Sequence, residues 1–240
     1  MIEKKIHYCW FGGNAKPKSV IKCIDSWKKF LPDYEIIEWN ESNFDFNFCQ
    51  YVSEAYSVKK WAFVSDVARL KIIYENGGIY FDTDVEVLKS FDDLMDQEFF
   101  LGLEEPDKIN TGIGFGSVKG NPVIKAMLDI YNDVHFIDKS GKKPITCPVY
   151  NTNAVVGLGA KLNGDILSFM GGTIYPEDYF SPISMKDGRL RITKNTYSIH
   201  HFANSWMPWH QKLRKWARTK MRNKYTLFFW NIIKKIIRVD

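Results

Sequence analysis

The chain lacks a C-x-x-C pair among its four cysteines, an export-signal apolar run at its start, any internal repeat and any low-complexity tract. Each absence removes a class of protein. Cys9, Cys23, Cys49 and Cys147 show no metal or redox spacing, and most sit among apolar neighbours, so a reduced, cytoplasmic protein is expected. The start runs from Met1 to Lys5 straight into a strand-like segment, Ile6 to Trp10, leaving no place for a signal-peptide apolar region of about 7–15 residues. G-x-x-x-x-G-K-[ST], G-x-S-x-G and H-E-x-x-H are also absent, so P-loop, serine-hydrolase and zincin chemistry have no support. What is present is apolar mass: 45% hydrophobic and 15% aromatic residues over 240 positions can fill one sizeable core.

The net charge of +5 conceals an asymmetry. Residues 211–240 hold ten of the 33 Lys and Arg but one of the 28 Asp and Glu, so this tail carries +9 and the remainder −4. In it Tyr225, Phe228, Phe229, Ile232, Ile233, Ile236 and Ile237 fall at helical spacing, with Lys224, Lys234, Lys235 and Arg238 between them. Crossing a bilayer takes about 20 mostly apolar residues, and Lys234 and Lys235 interrupt the run too early. An amphipathic helix on an anionic membrane surface fits better, each basic residue adding about 1 kcal/mol. Docking of the same stripe on the body of the domain would give the same pattern. Nucleic acid is not expected, because the basic excess is confined to the tail and no recognition motif accompanies it. The division expected is therefore a domain over 1–210 and a membrane-associating tail over 211–240.

Along the body, Ile6 to Trp10 reads as a strand, and Pro17 as the first residue of a helix with Val20, Ile21, Ile24, Trp27 and Leu31 on its apolar side, ending at Pro32. Tyr34 to Trp39 reads as a second strand. After an aromatic, polar stretch from Asn40 to Tyr56, a helix runs from about Lys59 to Glu75, stopped by Gly77 or Gly78, and a third strand follows. The order β-α-β-α-β predicts an α/β fold with a mostly parallel sheet flanked by helices. Further on, Phe99 to Leu103, Gly112 to Gly116, Thr173 to Tyr175 and Thr196 to Phe202 read as short strands, Asn121-Pro122 opens a helix through Tyr131, and Asp138 to Pro148 reads as a loop.

The most informative run is Asn76-Gly77-Gly78-Ile79-Tyr80-Phe81-Asp82-Thr83-Asp84. In extended chain Asp82 and Asp84 point the same way and Thr83 the other, so two hard oxygen ligands converge where an apolar strand leaves the sheet. Such a pair suits Mg²⁺ or Mn²⁺, which take carboxylates and keep positions for the oxygens of a diphosphate. An isolated Asp-x-Asp also occurs in ordinary surface turns. Asp66 and Arg69 stand at i and i+3 on one helical face, as a simple ion pair or as a grip on sugar hydroxyls and phosphate. Trp10 ends the first strand before Gly12 and Gly13, placed either as a core residue or to stack on a nucleotide base, with the glycines admitting phosphate to the backbone. Near the end of the body, His200-His201-Phe202-Ala203-Asn204-Ser205-Trp206 gathers imidazole, amide, hydroxyl and indole. Adjacent histidines in a strand face opposite ways, so one of them can join the aspartates.

Taken together, Ile6 to Gly13, Ser65 to Arg69, Gly77 to Asp84 and His200 to Trp206 resemble glycosyltransferase family 32, the DXD-containing transferases. The family includes bacterial capsular and lipopolysaccharide sugar transferases and the yeast initiating mannosyltransferase, and is similar to the glucosyltransferase domains of large clostridial toxins. The resemblance implies a GT-A type, Rossmann-like fold, a nucleotide-sugar donor (a UDP-sugar first, a GDP-sugar second), Mn²⁺ or Mg²⁺, and retention of anomeric configuration. Carried over by residue, it implies Trp10 against the base beside Gly12, Asp66 and Arg69 on the donor sugar, Asp82 and Asp84 on ribose and metal, and His201 as a further metal ligand. Asn204 and Trp206 match residues that contact the leaving diphosphate, and Asn110 lies where such enzymes line the donor pocket. Residues 148–153 depart from the family's Gly-Pro pattern, which leaves acceptor recognition open. The acceptor expected is a glycan, lipid-linked in view of the basic tail, and the place expected is the inner face of the plasma membrane. The rival readings are a non-catalytic sugar-nucleotide or glycan-binding protein at the membrane and a metal-dependent nucleotide-sugar hydrolase.

Overall fold

The computed structural model describes residues 1–137, 145–185 and 187–203. The tail over 211–240, Asn204 and Trp206 lie outside the described residues. Strand β1 (Lys5–Cys9) leads to helix α1 (Lys18–Phe30), β2 (Glu35–Trp39), helices α2 (Gln50–Ser57) and α3 (Trp61–Asn76), then β3 (Gly78–Tyr80) and β4 (Val85–Val87). There follow β5 (Phe99–Glu105), β6 (Lys108–Ile109), β7 (Phe115–Ser117), α4 (Pro122–Asp129), α5 (Cys147–Gly157), β8 (Leu167–Phe169), β9 (Gly172–Tyr175), α6 (Glu177–Phe180) and β10 (Ser198–His200).

The principal sheet has the order β2-β1-β3-β7-β5-β9-β8, with β6 added to β5. β1 pairs parallel with β2 and β3, β7 runs against β3 and β5, β9 is parallel to β5, and β8 runs against β9. Along this path β7 and β8 alone oppose the common direction, so β1, β3 and β5 all end on the same edge. The mostly parallel α/β architecture expected from the sequence is therefore present. β10 pairs antiparallel with β4 in a separate ribbon, with His200 opposite Val85.

Side-chain alternation along the strands divides the core into two layers. Ile6, Tyr8, Ile79, Phe81 and Phe100 pack with α1 residues Val20, Ile24 and Trp27, while Cys9, Tyr80, Phe99, Leu101 and Phe115 pack with Val64, Val67 and Ile73 of α3 and with Ile124 and Met127 of α4. Trp27, fully buried, also donates its indole N–H to the Val85 carbonyl at 2.8 Å and so ties α1 to β4. Pro17 is the extended residue that caps α1 rather than its first helical residue, because its ψ of 158° lies outside the helical range. Asn121 caps α4 as expected, accepting the Val123 N–H at 2.8 Å. Gly77 ends α3 with φ of 71°, and a Cβ on Gly78 would stand 2.8 Å from the Lys5 carbonyl, so the glycine pair permits both the helix stop and the close approach of β3 to β1.

Three helices were not anticipated. α2 begins within the Asn40 to Tyr56 stretch and buries Tyr51, Val52 and Ala55; α5 begins at Cys147 within the segment read as loop; and the short α6 follows β9. The strand expected at Gly112 to Gly116 starts three residues later, at Phe115.

Buried His7 accepts the Trp39 indole N–H on Nδ1 at 3.0 Å, and burial pushes its pKa down to about 4. An unfolded histidine titrates near 6.5, so between those values the unfolded chain holds a proton that the native one does not. Stability is then full above about pH 6.5 and falls, by at most about 3 kcal/mol, as pH drops towards 4. Urea unfolding at stepped pH is expected to show this slope in the wild type and to lose most of it in His7→Gln; an unchanged slope in the variant would assign the acid sensitivity to other groups.

Candidate functional site

The common edge of β1, β3 and β5 opens on a cleft of about 1110 Å³, whose lining includes Trp10, Asp66, Arg69, Asp82, Asp84 and Asn110. This is the crevice at strand ends where open α/β sheets bind ligands.

α3 supplies one wall. Its i, i+3 spacing puts Asp66 and Arg69 on one face, and Arg69, 2% exposed, serves two carboxylates. Its Nη2 donates to Asp66 Oδ1, its Nη1 to Asp82 Oδ2 at 3.3 Å, and its Nε to the Ser65 carbonyl at 3.1 Å. The Tyr80 ring centre lies 5.5 Å from the guanidinium carbon. The pair read from the sequence is thus more than an intrahelical bridge, because it reaches across to Asp82. A Cβ on Gly112 would collide with Asp82 Oδ2 and Arg69 Nη1, so only glycine leaves this contact room.

Asp82 and Asp84 stand on a turn, not on an extended strand. β3 stops at Tyr80, and the Val85 N–H donates to the Asp82 carbonyl at 3.0 Å, so the chain reverses and the two carboxylates converge by folding back. β10 then brings a third donor. His200 Nε2 lies 3.1 Å from Asp84 Oδ1, and donor atoms of Asp82, Asp84 and His200 fall within 4.8 Å of one another. His201 points away from this group: its ring nitrogen contacts Glu86 Oε2 at 2.8 Å, while its backbone N–H donates to the Asp84 carbonyl at 3.0 Å. The alternation of adjacent histidines holds, but the residue brought to the aspartates is His200 and not the expected His201.

The electrostatics separate the two aspartates. Burial pushes Asp82 up to about 6, against the pull of Arg69 and with a further push from Asp84. Burial also opposes charge on Asp84, yet His200 and the Ala203 N–H, which donates to Oδ2 at 2.7 Å, hold it down at about 2. Burial likewise opposes charge on His200, but Asp84 raises its pKa. His200 and Asp84 therefore form an ion pair whose proton a cation can displace. Two carboxylates and an imidazole match the donor preferences of Mn²⁺ and, less closely, Mg²⁺.

At the other end of the cleft Trp10, half-buried, donates its indole N–H to the Asn14 carbonyl at 2.6 Å, which fixes the ring plane. The Lys16 ammonium lies 5.8 Å from that ring. Gly12 does not line the cleft: its N–H donates to Glu41 Oε1 at 2.6 Å, and a Cβ there would stand 2.6 Å from Trp61 Nε1. Its positive φ of 93° serves the turn. Asn110 lines the cleft and is held on both sides of its amide, its Nδ2 donating to Glu104 Oε2 at 2.7 Å and its Oδ1 accepting the Gly112 N–H at 2.7 Å. Glu104 was missed in the sequence, although it carries the signal used for Asp82: an acid at the end of an apolar strand.

The fold is like that of a solved glycosyltransferase. Residues 17–101 match the family described as "Glycosyltransferase sugar-binding region containing DXD motif". Over 134 residues it is 29% identical to inositol phosphoceramide mannosyltransferase 3 of Schizosaccharomyces pombe, covering 51% of this chain and 35% of that one. Over 119 residues it is 28% identical to subversion of eukaryotic traffic protein A of Legionella pneumophila, covering 38% and 18%. The chain thus spans about a third or less of the length of these curated relatives. Among solved structures, the PaToxG glycosyltransferase superposes with a TM-score of 0.52 at 24% identity, over 66% of this chain and 69% of that one, a likeness of fold.

Proposed function

We propose that this chain is a retaining, metal-dependent glycosyltransferase that moves a hexose from a nucleoside-diphosphate sugar, a UDP-sugar before a GDP-sugar, to a lipid-linked glycan in the building of a bacterial surface polysaccharide. The observation that carries the reading is the convergence of Asp82, Asp84 and His200 donor atoms within 4.8 Å on the cleft that Arg69 and Trp10 also line. The name of the yeast relative, an inositol phosphoceramide mannosyltransferase, supports both a hexose donor and a lipid-borne acceptor.

In this reading Asp82, Asp84 and His200 would hold a divalent ion, which would supply positive charge to the leaving diphosphate. Trp10 offers its fixed ring to the base. Asp66 and Arg69 orient the donor sugar, and Arg69 adds charge-assisted donors where negative charge develops. The bond from the anomeric carbon to the phosphate oxygen breaks as the acceptor oxygen bonds to the same face of that carbon, and the acceptor proton passes to the departing diphosphate. No protein nucleophile is required.

The test is a thermal-shift screen of UDP, GDP, CMP and their sugar conjugates with Mn²⁺ and with chelator. A ligand at about a hundred times its dissociation constant adds about 2.7 kcal/mol, expected as a rise of roughly 5–10 °C that chelator abolishes. No rise with any nucleotide would favour the non-catalytic glycan-binding reading. Adding a glycan acceptor should speed nucleotide release; if it does not, the hydrolase reading gains.

The tail over 211–240 is proposed to hold the enzyme on the anionic inner face of the plasma membrane. Among the described residues no helix is long and apolar enough to cross a membrane. Deleting 211–240 is expected to abolish co-sedimentation with anionic liposomes; unchanged co-sedimentation would contradict the assignment.

A further inference from the structure

Glu104 is the one carboxylate at the end of β5 that faces the cleft, and neither the ion site nor the Arg69 grip uses it. β5 runs in the direction of β1 and β3, so its end delivers Glu104 to the same edge as Trp10 and Asp82. Asn110 holds Glu104 Oε2 at 2.7 Å, and Asn110 is itself locked by the Gly112 N–H at 2.7 Å. Among the described residues no group donates to the other oxygen, Oε1. Gly112 in turn packs on Asp82 and Arg69, so two residues, Asn110 and Gly112, connect Glu104 to Arg69 of the pair assigned to the donor sugar.

A carboxylate fixed on one side and open on the other is a poor neighbour for a diphosphate, whose charge it repels. It is a good acceptor for a hydroxyl, because a neutral O–H gives a charge-assisted hydrogen bond without adding charge to the cleft. The geometry points to Glu104 as the specificity-determining residue that reads a hydroxyl of the donor hexose, with Asn110 as the positioning residue that fixes its carboxylate. This rests on the transferase reading above and adds to it a residue that discriminates among hexoses. A site built to bond a particular hydroxyl rejects the sugar that lacks it in that place, because its own acceptor is then left unpaired.

The experiment is calorimetric titration of the full chain with Mn²⁺ and the nucleoside diphosphate that shifts it most, alone and as hexose conjugates differing in the configuration of one hydroxyl. Wild type, Glu104→Ala and Glu104→Gln are compared; Gln keeps the size of the side chain and an acceptor for the hydroxyl. Glu104→Ala is expected to weaken the preferred conjugate about ten- to hundredfold, to leave the free diphosphate within about twofold, and to lose the preference between epimers, with Glu104→Gln intermediate. A residue that only braces Asn110 would lower the diphosphate and its conjugate alike, and that result would overturn the assignment. So would unchanged conjugate affinity in Glu104→Ala while the wild type binds nucleotide sugar. A wild type that binds no nucleotide would instead sink the transferase reading, and this assignment with it.

Discussion

Replacing Arg69 by methionine is expected to destabilise the folded chain by about 3–5 kcal/mol, the cost of removing one partner from a buried ion pair and leaving the other unpaired. Two carboxylates depend on this guanidinium, Asp66 with 16% and Asp82 with 26% of its side chain exposed. Their partial access to water argues for the lower half of that range. The loss belongs to the charges and not to the volume, because methionine keeps most of the packing against Tyr80. The triple variant with Asp66→Asn and Asp82→Asn should therefore recover a large part of the stability while remaining inactive. Urea unfolding without nucleotide reads both. A loss under about 1 kcal/mol would put the cluster in the class of solvent-screened surface bridges and contradict the buried arrangement.

The second large effect is on turnover. Asp84→Ala removes a carboxylate from the donor set and leaves His200 without its partner, and transfer is expected to fall by about a thousandfold, corresponding to several kcal/mol of lost charge stabilisation at the leaving diphosphate. Folding should survive, because the turn at Asp82 to Val85 is closed by backbone groups. The measurement is nucleotide release from the donor with acceptor and Mn²⁺ present. A drop of less than tenfold, in a variant whose unfolding midpoint is unchanged, would remove Asp84 from the chemistry.

Much of this arrangement was legible because it lies in short-range pattern. The period-2 apolar strands, the period-3.6 helix from Trp61 and the glycine stop at Gly77 are local signals, and the structure has each of them. The placement of Asp66 and Arg69 on one face likewise follows from helix geometry alone. What the sequence could not supply was set by contacts distant along the chain. Extended alternation predicted the convergence of Asp82 and Asp84 by the wrong route, since the turn that brings them together is stabilised by β4 pairing with β10, more than a hundred residues later. The same pairing selects His200 over His201, a choice that alternation leaves open. α2 was hidden because its buried face is short, made of Tyr51, Val52 and Ala55 among polar residues, and tertiary packing rather than propensity holds it. Glu104 escaped because nothing near it in sequence shows that β5 ends on the same edge of the sheet as β1 and β3.

The most direct test of the account is Mn²⁺-dependent nucleotide binding, by calorimetry, to the wild type, His200→Ala and His201→Ala. His200→Ala is expected to lose most of the Mn²⁺-dependent affinity, and His201→Ala, which gives up a contact with Glu86, to keep it within a few-fold. The reverse order, or equal affinity in all three proteins, would contradict the assignment of Asp82, Asp84 and His200 as the ion site.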